Sequence, residues 1–219
     1  NPDRPLASAN FDNFYLTTTL EPTASPTASP SPTPSGSPPP GQSMEFRVKF
    51  AGVTDEKADG AKVKIRFFNG TFDVETSPIT VSHVVGGLYK AEITLASLVP
   101  AGAGYNLYVK GEKHVARKFC QDTGQVARCT GLGNINVPVS GDPTKGYDFT
   151  GLALEPGDLP IQDGKADSAD FAKIEARMAI LCADLTAADK LIADLDYSGC
   201  VNTTDAFLMR KTLETKYDD

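Results

Sequence analysis

Apolar and polar residues alternate along the middle of the chain. Phe46, Val48 and Phe50 are separated by charged residues, and the same period of two recurs in five further segments. The apolar positions of those segments are Val63, Ile65 and Phe67; Tyr89, Ala91, Ile93 and Leu95; Tyr105, Leu107 and Val109; Ile135 and Val137; and Tyr147 and Phe149. This alternation puts successive side chains on opposite faces of a strand. Such short strands predict an antiparallel, immunoglobulin-like β-sandwich, with Asn69 and Gly70 at one hairpin turn.

The last third of the chain changes to a helical period. Apolar residues recur there mostly at intervals of three and four, which predicts two helices with one apolar face each. The apolar positions are Phe171, Ile174, Met178 and Leu181 in the first helix and, less regularly, Phe207, Met209 and Leu213 in the second. Between them, Thr186 and Asp189 predict the capped start of a short connecting helix.

The beginning of the chain differs in composition from the rest. Eight prolines stand among Ser, Thr, Ala and Gly, without any charge, between residues 22 and 41. Such a segment cannot bury a core, so residues 21–42 are predicted to be an extended polyproline II linker. The preceding segment Phe11-Asp-Asn-Phe14-Tyr15-Leu16 is similar to the last strand of concanavalin-like or laminin-G-like sandwiches. Residues 1–20 are therefore interpreted as the remnant strand of an upstream β-sandwich domain.

A 12-residue loop near the C-terminus, named loop two below, carries oxygen-bearing side chains at positions 1, 3, 5, 9 and 12. These are Asp194, Asp196, Ser198, Asn202 and Asp205. Gly199 at position 6 permits a sharp turn, and Cys200 at position 7 would offer its backbone carbonyl. Calcium takes about six to eight oxygen ligands, and the loop follows the EF-hand pattern except for Asp in place of Glu at position 12. The alternative is a solvated surface turn.

A less regular copy, named loop one, begins 36 residues upstream and matches if one residue is inserted before Asp163. Its candidate ligands are Asp158, Gln162, Asp163, Lys165, Asp167 and Asp170. Lys165 would contribute only its carbonyl. Position 3 falls on Pro160 or Ile161, so a carbonyl, Gln162 or water would have to complete the set. A solvated turn is again the alternative.

A tandem repeat of loop and helix with aspartate at position 12 resembles a type I dockerin, the calcium-folded module that attaches extracellular proteins to cohesin receptors. The resemblance covers about residues 157–217 and implies a small all-α domain, residues 155–219, that holds two calcium ions. It also implies a cohesin-like receptor, recognised through loop positions 10 and 11 and a basic pair at positions 17 and 18. In the second repeat these are Thr203, Thr204, Arg210 and Lys211.

The first repeat departs from that recognition pattern. Its equivalent residues are Ser168, Ala169, Glu175 and Ala176. The departure favours a single binding face on the second helix. The segment Lys110-Gly-Glu-Lys-His114 is similar to sandwich modules that accompany dockerins, so residues 43–154 are interpreted as such a module.

The chain has four cysteines, Cys120, Cys129, Cys182 and Cys200. An even number in an extracellular type of composition favours two disulfides, with buried free thiols as the alternative. None has the spacing of a zinc site. A bridge between Cys120 and Cys129 would lie inside the sandwich module. The antiparallel helices of a dockerin imply the other bridge, between Cys182 and Cys200.

The charge of the chain is uneven. The net charge is −7, and 13 acidic against 7 basic residues fall after position 156. The acidity is therefore concentrated where divalent cations would bind. No basic patch is present, so nucleic acid is not an expected partner. The sequence contains no run of about 18 apolar residues, so it predicts no membrane-spanning helix.

No catalytic motif stands out in the sequence. It lacks a nucleophile elbow, a phosphate loop and a zinc-hydrolase helix, and we interpret the chain as non-catalytic. The expected function is calcium-dependent docking to a cohesin-like receptor, at the cell surface or outside the cell. The host would be a secreted modular protein in a cellulosome-like assembly for polysaccharide degradation, or in a cell-surface assembly.

Two alternatives remain. The repeat could be a calcium-stiffened end cap or stalk without a partner. The chain could also be an accessory part of a glycoside hydrolase whose catalytic domain lies upstream and whose neighbouring modules contact polysaccharide. The end-cap alternative is distinguished by whether Arg210 and Lys211 face solvent or the sandwich.

Overall fold

The computed structural model describes residues 43–95, 99–121, 133–139 and 145–213. The chain divides into two units, Asn1–Pro38 and Pro39–Asp219, and every described residue belongs to the second. The strand and linker predicted for residues 1–42 lie outside the described residues.

Within these ranges the chain forms ten strands and three helices. The strands are β1 (Ser43–Lys49), β2 (Lys62–Phe68), β3 (Asp73–Glu75), β4 (Ile79–Thr80), β5 (Ser82–Val85), β6 (Leu88–Thr94), β7 (Gly102–Gly111), β8 (Arg117–Phe119), β9 (Ile135–Val137) and β10 (Lys145–Asp148). The helices are α1 (Ser168–Met178), α2 (Ala187–Ala193) and α3 (Thr203–Thr212). All six segments with period-two alternation contain a strand.

The strands form two sheets that enclose one core, which makes this part of the chain a β-sandwich. One sheet has the order β10-β1-β6-β5, and the other has the order β3-β2-β7-β8 with β4 on β2 and β9 on β7. The expectation of a wholly antiparallel sandwich is wrong at one place, because β1 and β10 pair in parallel. Parallel neighbours need a long connection, and here almost the whole sandwich lies between them.

Alternation decides which side chains enter the core. In β1, Met44, Phe46 and Val48 are buried, whereas Arg47 and Lys49 are exposed. In the turn after β2, the Asn69 carboxamide oxygen accepts hydrogen bonds from the backbone N–H groups of Thr71 (3.2 Å) and Phe72 (2.8 Å). This side-chain turn closes the β2–β3 hairpin that the sequence predicts.

Each helix begins with a capping box. The N-cap residues are Asp167, Thr186 and Asn202, and the third helical residue is an aspartate in every case. Each N-cap side chain accepts a backbone N–H that the first helical turn would otherwise leave without a partner. The predicted connecting helix at Thr186 is therefore present.

Two predicted apolar positions are wrong. Leu181 lies beyond the end of α1 and is 72% exposed, and Phe207 is 67% exposed. The buried apolar residues of α3 are Leu208 and, as predicted, Met209. None of the helices in the described ranges is long and apolar enough to span a membrane.

The helical region packs directly on the sandwich. Val115, just before β8, lies in the helical core with Ile174 and Met209. Conversely, Tyr197 of loop two packs against the sandwich core. The connecting segment is held by backbone hydrogen bonds, among them Gly157 N–H to the carbonyl of Lys113 at 2.8 Å. The sandwich therefore contacts loop two and also holds the segment that leads into loop one.

Candidate metal centres in the two loops

Loop two brings three carboxylates together. Asp194, Asp196 and Asp205 each offer an oxygen that lies within 4.8 Å of the other two, and all three residues are buried. Among the residues that the structure describes, no lysine or arginine makes a salt bridge with any of them. Three negative groups are therefore gathered in a buried place without an ion-pair partner among the described side chains.

Backbone N–H groups fix these carboxylates. The two oxygens of Asp194 accept from Ser198 (2.9 Å) and Gly199 (2.8 Å), and Gly199 has a φ of +87°. The carboxylate of Asp205 accepts from Leu195 (2.6 Å) and Asn202 (2.8 Å). The first and last residues of the loop thus hold it closed before any ion is considered.

Further oxygens converge on the same place. The Ser198 hydroxyl oxygen lies 3.5 Å from Asp194 Oδ1 and 3.4 Å from the Cys200 carbonyl oxygen. Oxygens that share one calcium ion at 2.3–2.6 Å lie about 3–4 Å apart, so this spacing fits calcium. Asn202 serves first as the N-cap of α3, since its side-chain oxygen accepts from Thr204 N–H at 2.8 Å.

Loop one has the same hydrogen-bond frame in spite of its inserted residue. The two oxygens of Asp158 accept from Asp163 and Gly164, both at 3.0 Å. The two oxygens of Asp170 accept from Leu159 (3.2 Å) and Asp167 (3.3 Å). Asp158, Asp163 and Asp170 offer oxygens that all lie within 4.8 Å of one another. The extra residue is accommodated between Asp158 and Asp163.

The charges around loop one are different. The ammonium of Lys110, from β7, lies 2.5 Å from Asp158 Oδ2. The ammonium of Lys173, from α1, lies 2.9 Å from Asp170 Oδ1. Nothing equivalent to Asp196 is present, because Pro160 and Ile161 fill that part of the loop. The three converging carboxylates of loop one are therefore accompanied by two ammonium groups from outside the loop.

A third lysine serves loop two indirectly. Lys113 is buried, and its ammonium donates to the backbone carbonyls of Lys190 (3.2 Å) and Asp194. It also lies 3.9 Å from the centre of the Tyr197 ring. Burial lowers the pKa of Lys113 to about 8. Its hydrogen bonds go to carbonyls at the end of α2, so Lys113 stabilises the carboxylates of loop two through its charge but does not contact them.

Burial raises the pKa of three of the loop carboxyls, those of Asp158, Asp194 and Asp205. At Asp158 the hydrogen bond from Lys110 opposes this effect, because it favours the charged form. At Asp194 the Gly199 N–H and the Lys113 ammonium oppose the rise in pKa, whereas the neighbouring Asp196 and Asp205 add to it. Loop two is thus the place where a cation would relieve most electrostatic strain.

Two predicted ligands of loop one, Gln162 and Asp167, have other roles in the structure. The amide nitrogen of Gln162 donates to the carbonyls of Gly111 (3.0 Å), His114 (3.3 Å) and Asp158 (2.9 Å). It therefore attaches loop one to the sandwich. Asp167 caps α1 by accepting from Ala169 N–H at 2.7 Å, and the side chain of Lys165 is exposed.

The predicted bridge between Cys182 and Cys200 is present, with Cα atoms 4.7 Å apart. It ties the segment after α1 to the middle of loop two. A disulfide is typical of proteins from oxidising compartments, which fits the expected extracellular setting. The predicted Cys120–Cys129 bridge lies outside the described residues, since Cys129 does.

The predicted partner residues share one face of α3. Thr203, Thr204, Arg210 and Lys211 are all exposed. Residues at these spacings lie on the same side of a helix. Phe207 lies in the middle of this face. The sequence predicts it in the core, because three adjacent apolar residues, Phe207, Leu208 and Met209, do not indicate which of them faces solvent. We name these five residues the α3 face.

Neither a scan against protein-family models nor a search of curated proteins finds a match. The solved structures that are similar include an N-terminal and a C-terminal interface mutant of a type II cohesin–X–dockerin complex from Acetivibrio cellulolyticus. Both are 16% identical in sequence. The alignments cover 77% and 78% of this chain and 94% of each matched chain, with TM-scores of 0.42 and 0.44. Similarity at this level carries no functional conclusion.

Proposed function

We propose that this chain is a non-catalytic, calcium-dependent interaction module of a secreted modular protein, and that it binds a cohesin-like receptor through the α3 face. The observation that carries the proposal is the exposure of Arg210 and Lys211 on a helix whose opposite side is buried. A basic pair held in solvent on a docked helix is available to a partner. The end-cap alternative would instead use this pair against the sandwich.

Calcium has a structural role in this proposal. Asp194, Asp196 and Asp205, with the Ser198 hydroxyl and the Cys200 carbonyl, form a set of oxygens that suits a hard divalent cation. When bound, the ion supplies the positive charge that these buried carboxylates lack. Because Asp205 lies in the first turn of α3, the ion would fix the start of the helix that presents the α3 face. Asp158, Asp163 and Asp170 would hold the second ion.

The two repeats are unequal as partner surfaces. Phe207 gives the α3 face an exposed aromatic centre between polar threonines and two cations. Exposed aromatic and arginine side chains are common anchors of protein interfaces. The equivalent position in α1 is Ala172, and the basic pair is replaced there by Glu175 and Ala176. The proposal therefore assigns one binding face, on the second repeat.

The experiment measures binding to a panel of immobilised cohesin modules in calcium and in EGTA. The double variant Arg210→Ala, Lys211→Ala should weaken binding by at least about 10-fold and reduce its salt dependence, because a charged pair steers association. Glu175→Ala, at the equivalent position of α1, is the matched control and should change binding less than about twofold. Circular dichroism checks that each variant stays folded.

Two results would count against this function. Full binding by the double variant would remove the α3 face from the interface. If no cohesin binds while calcium still stabilises the fold, the end-cap alternative becomes the better account. That alternative draws on the interlocked cores, in which Val115 and Tyr197 cross between the two regions.

A further inference from the structure

One of the two lysines that balance loop one belongs neither to the loop nor to the helices of the repeat. Lys110 lies near the end of β7, 48 residues before Asp158 in sequence. Its side chain is 16% exposed and that of Asp158 is fully buried. A buried carboxylate and a mostly buried ammonium in direct contact form a strong, poorly screened ion pair.

We propose that the ammonium of Lys110 is the resident cation of loop one, so that calcium enters this loop only by displacing it. The inference rests on calcium binding by the loops, as proposed above. It makes the two loops unequal in a specific way: loop two binds calcium tightly, and loop one is closed by the protein's own charge.

The charge balance supports the inequality. Lys110 and Lys173 form ion pairs with two of the three converging carboxylates of loop one, which leaves that cluster with a formal charge of −1. The three carboxylates of loop two have no such ion pair with a described residue, and the Lys113 ammonium acts on them through its electric field rather than by direct contact. Calcium affinity in such loops follows the number of charged ligands and the rigidity of the site. Loop one also lacks a carboxylate at position 3. An ammonium 2.5 Å from Asp158 occupies one of the oxygens beside the place where an ion would sit.

Charge repulsion within the sandwich favours the contact between Lys110 and loop one. Lys110 lies directly opposite Lys64 on the neighbouring strand β2. Like charges opposite each other on a sheet are destabilising. Lys64 is paired with Glu75 at 2.9 Å, and Lys110 is paired with Asp158. Each lysine of the cross-strand pair thus points to its own carboxylate.

A displaced Lys110 would have room to move. It lines a cleft of about 380 Å³ at the junction of the sandwich and loop one, together with Lys62, Lys64, Pro160 and Gln162. In that cleft the ammonium would meet the positive charges of Lys62 and Lys64 and the carboxylate of Glu112. Repulsion by the two lysines favours the return of Lys110 to Asp158 when calcium is withdrawn.

A consequence follows for the response to calcium. Loop one stays closed on the sandwich at low calcium, because Lys110 and Gln162 hold it from the side of β7. The calcium-dependent part of the molecule is then loop two together with the start of α3. The ion would control the α3 face while the first repeat serves as a permanent support.

The test is a calcium titration by calorimetry on the whole chain and on Lys110→Met, which removes the ammonium but keeps an unbranched side chain. The unchanged chain should bind one ion tightly and a second at least about 100-fold more weakly. Lys110→Met should bind the second ion at least about 10-fold more tightly. Lys64→Met is the matched control on the opposite strand and should leave both affinities within about twofold.

The failures of the two proposals are distinguishable. If the unchanged chain binds no calcium, the proposed function falls. If it binds two ions with equal affinity, or if Lys110→Met does not tighten the second ion, calcium binding stands and the role of Lys110 is overturned.

A second measurement uses the unchanged chain, in case Lys110→Met does not fold. The reactivity of Lys110 towards an acylating reagent, followed by mass spectrometry, should rise when millimolar calcium fills loop one. The reactivity of Lys64 should stay constant. Equal reactivity of Lys110 with and without calcium, once the second ion is bound, would contradict displacement.

Discussion

Loop one and loop two share a hydrogen-bond frame and differ in what balances their charge. In both, the first aspartate accepts from positions 5 and 6, and the last accepts from the residue after the first aspartate and from the helix N-cap. Two carboxylates of loop one form ion pairs with lysines, whereas the carboxylates of loop two have no ion pair with a described side chain and the loop is joined to the segment after α1 by a disulfide. A repeat can therefore keep its geometry while its two copies take different chemical roles.

The helices that follow the loops differ in the same way. In α1, Lys173 forms an ion pair with Asp170. The equivalent residue of α3, 35 positions later in the chain, is Leu208. Leu208 packs on the sandwich at Gly52, where an added Cβ would lie 2.5 Å from its side chain. The first repeat thus uses this position for charge, and the second uses it for docking.

Replacing the last carboxylate of each loop by an amide should produce the largest difference between the loops in calcium affinity and stability. Asp205→Asn is expected to lower calcium affinity at loop two by at least about 100-fold, and to cost about 3 kcal/mol because backbone N–H groups lose a charged acceptor. Asp170→Asn should leave loop two within about threefold and cost about 1 kcal/mol, since its bonds are longer. Calorimetry and urea unfolding measure both. Equal effects of the two variants would mean that the loops are equivalent.

Removing the disulfide should affect the second repeat. The double variant Cys182→Ser, Cys200→Ser is expected to lose about 3 kcal/mol, because the bridge closes a segment with a sequence separation of 18 and restricts the unfolded chain. Hydrogen exchange should increase at Ser198 and Gly199 and stay constant at Asp163 and Gly164. An unchanged urea midpoint, or equal changes in both loops, would contradict this expectation.

A methyl group at the docking point should disturb α3 but not α1. Gly52→Ala places a Cβ against Leu208 and keeps a φ of +79°, so a loss of about 2–3 kcal/mol is expected. Gly60→Ala is the matched control, because Gly60 has a φ of +81° and nothing within 4 Å of the added atom. It should cost about 1 kcal/mol. The docking contact is unimportant if the two variants unfold at the same urea concentration.

Acid should weaken the support that the loops share. The ring of His114 stacks with Tyr197 of loop two. The backbone carbonyl of His114 accepts a hydrogen bond from the side-chain amide of Gln162 in loop one. Burial lowers the pKa of His114 to about 3. The folded protein keeps this ring neutral while the unfolded chain protonates it, so its contribution to stability is present above about pH 6.5 and is lost as the pH falls towards 3.

Between pH 7 and pH 5 this loss amounts to about 2 kcal/mol in the free energy of unfolding. His114→Phe removes the titrating ring, so the variant should lose about 2 kcal/mol less than the unchanged chain over the same interval. Urea unfolding in EGTA at both pH values measures the difference. Parallel losses in the two proteins would show that His114 does not titrate on unfolding.

Local rules explain what the sequence determined by itself. The six alternating strands, the capped helix at Thr186 and the frames of both loops depend on residues close together in the chain. Alternation follows from strand geometry, and caps and loop carboxylates bind backbone groups a few residues away. These interactions form in the same way wherever the segment lies, so a pattern of residue types is sufficient to predict them.

Only the tertiary structure decided the rest. Lys110 contacts Asp158 of loop one, 48 residues later in the chain. Lys113 contacts Asp194, at the end of α2, 81 residues later. No local pattern indicates either contact. The direction of Phe207 is a similar case, because α3 has adjacent apolar residues and the sandwich surface at Gly52 decides that Leu208 packs inward. Charge balance and docking depend on which distant surfaces meet, and packing of the whole chain determines that.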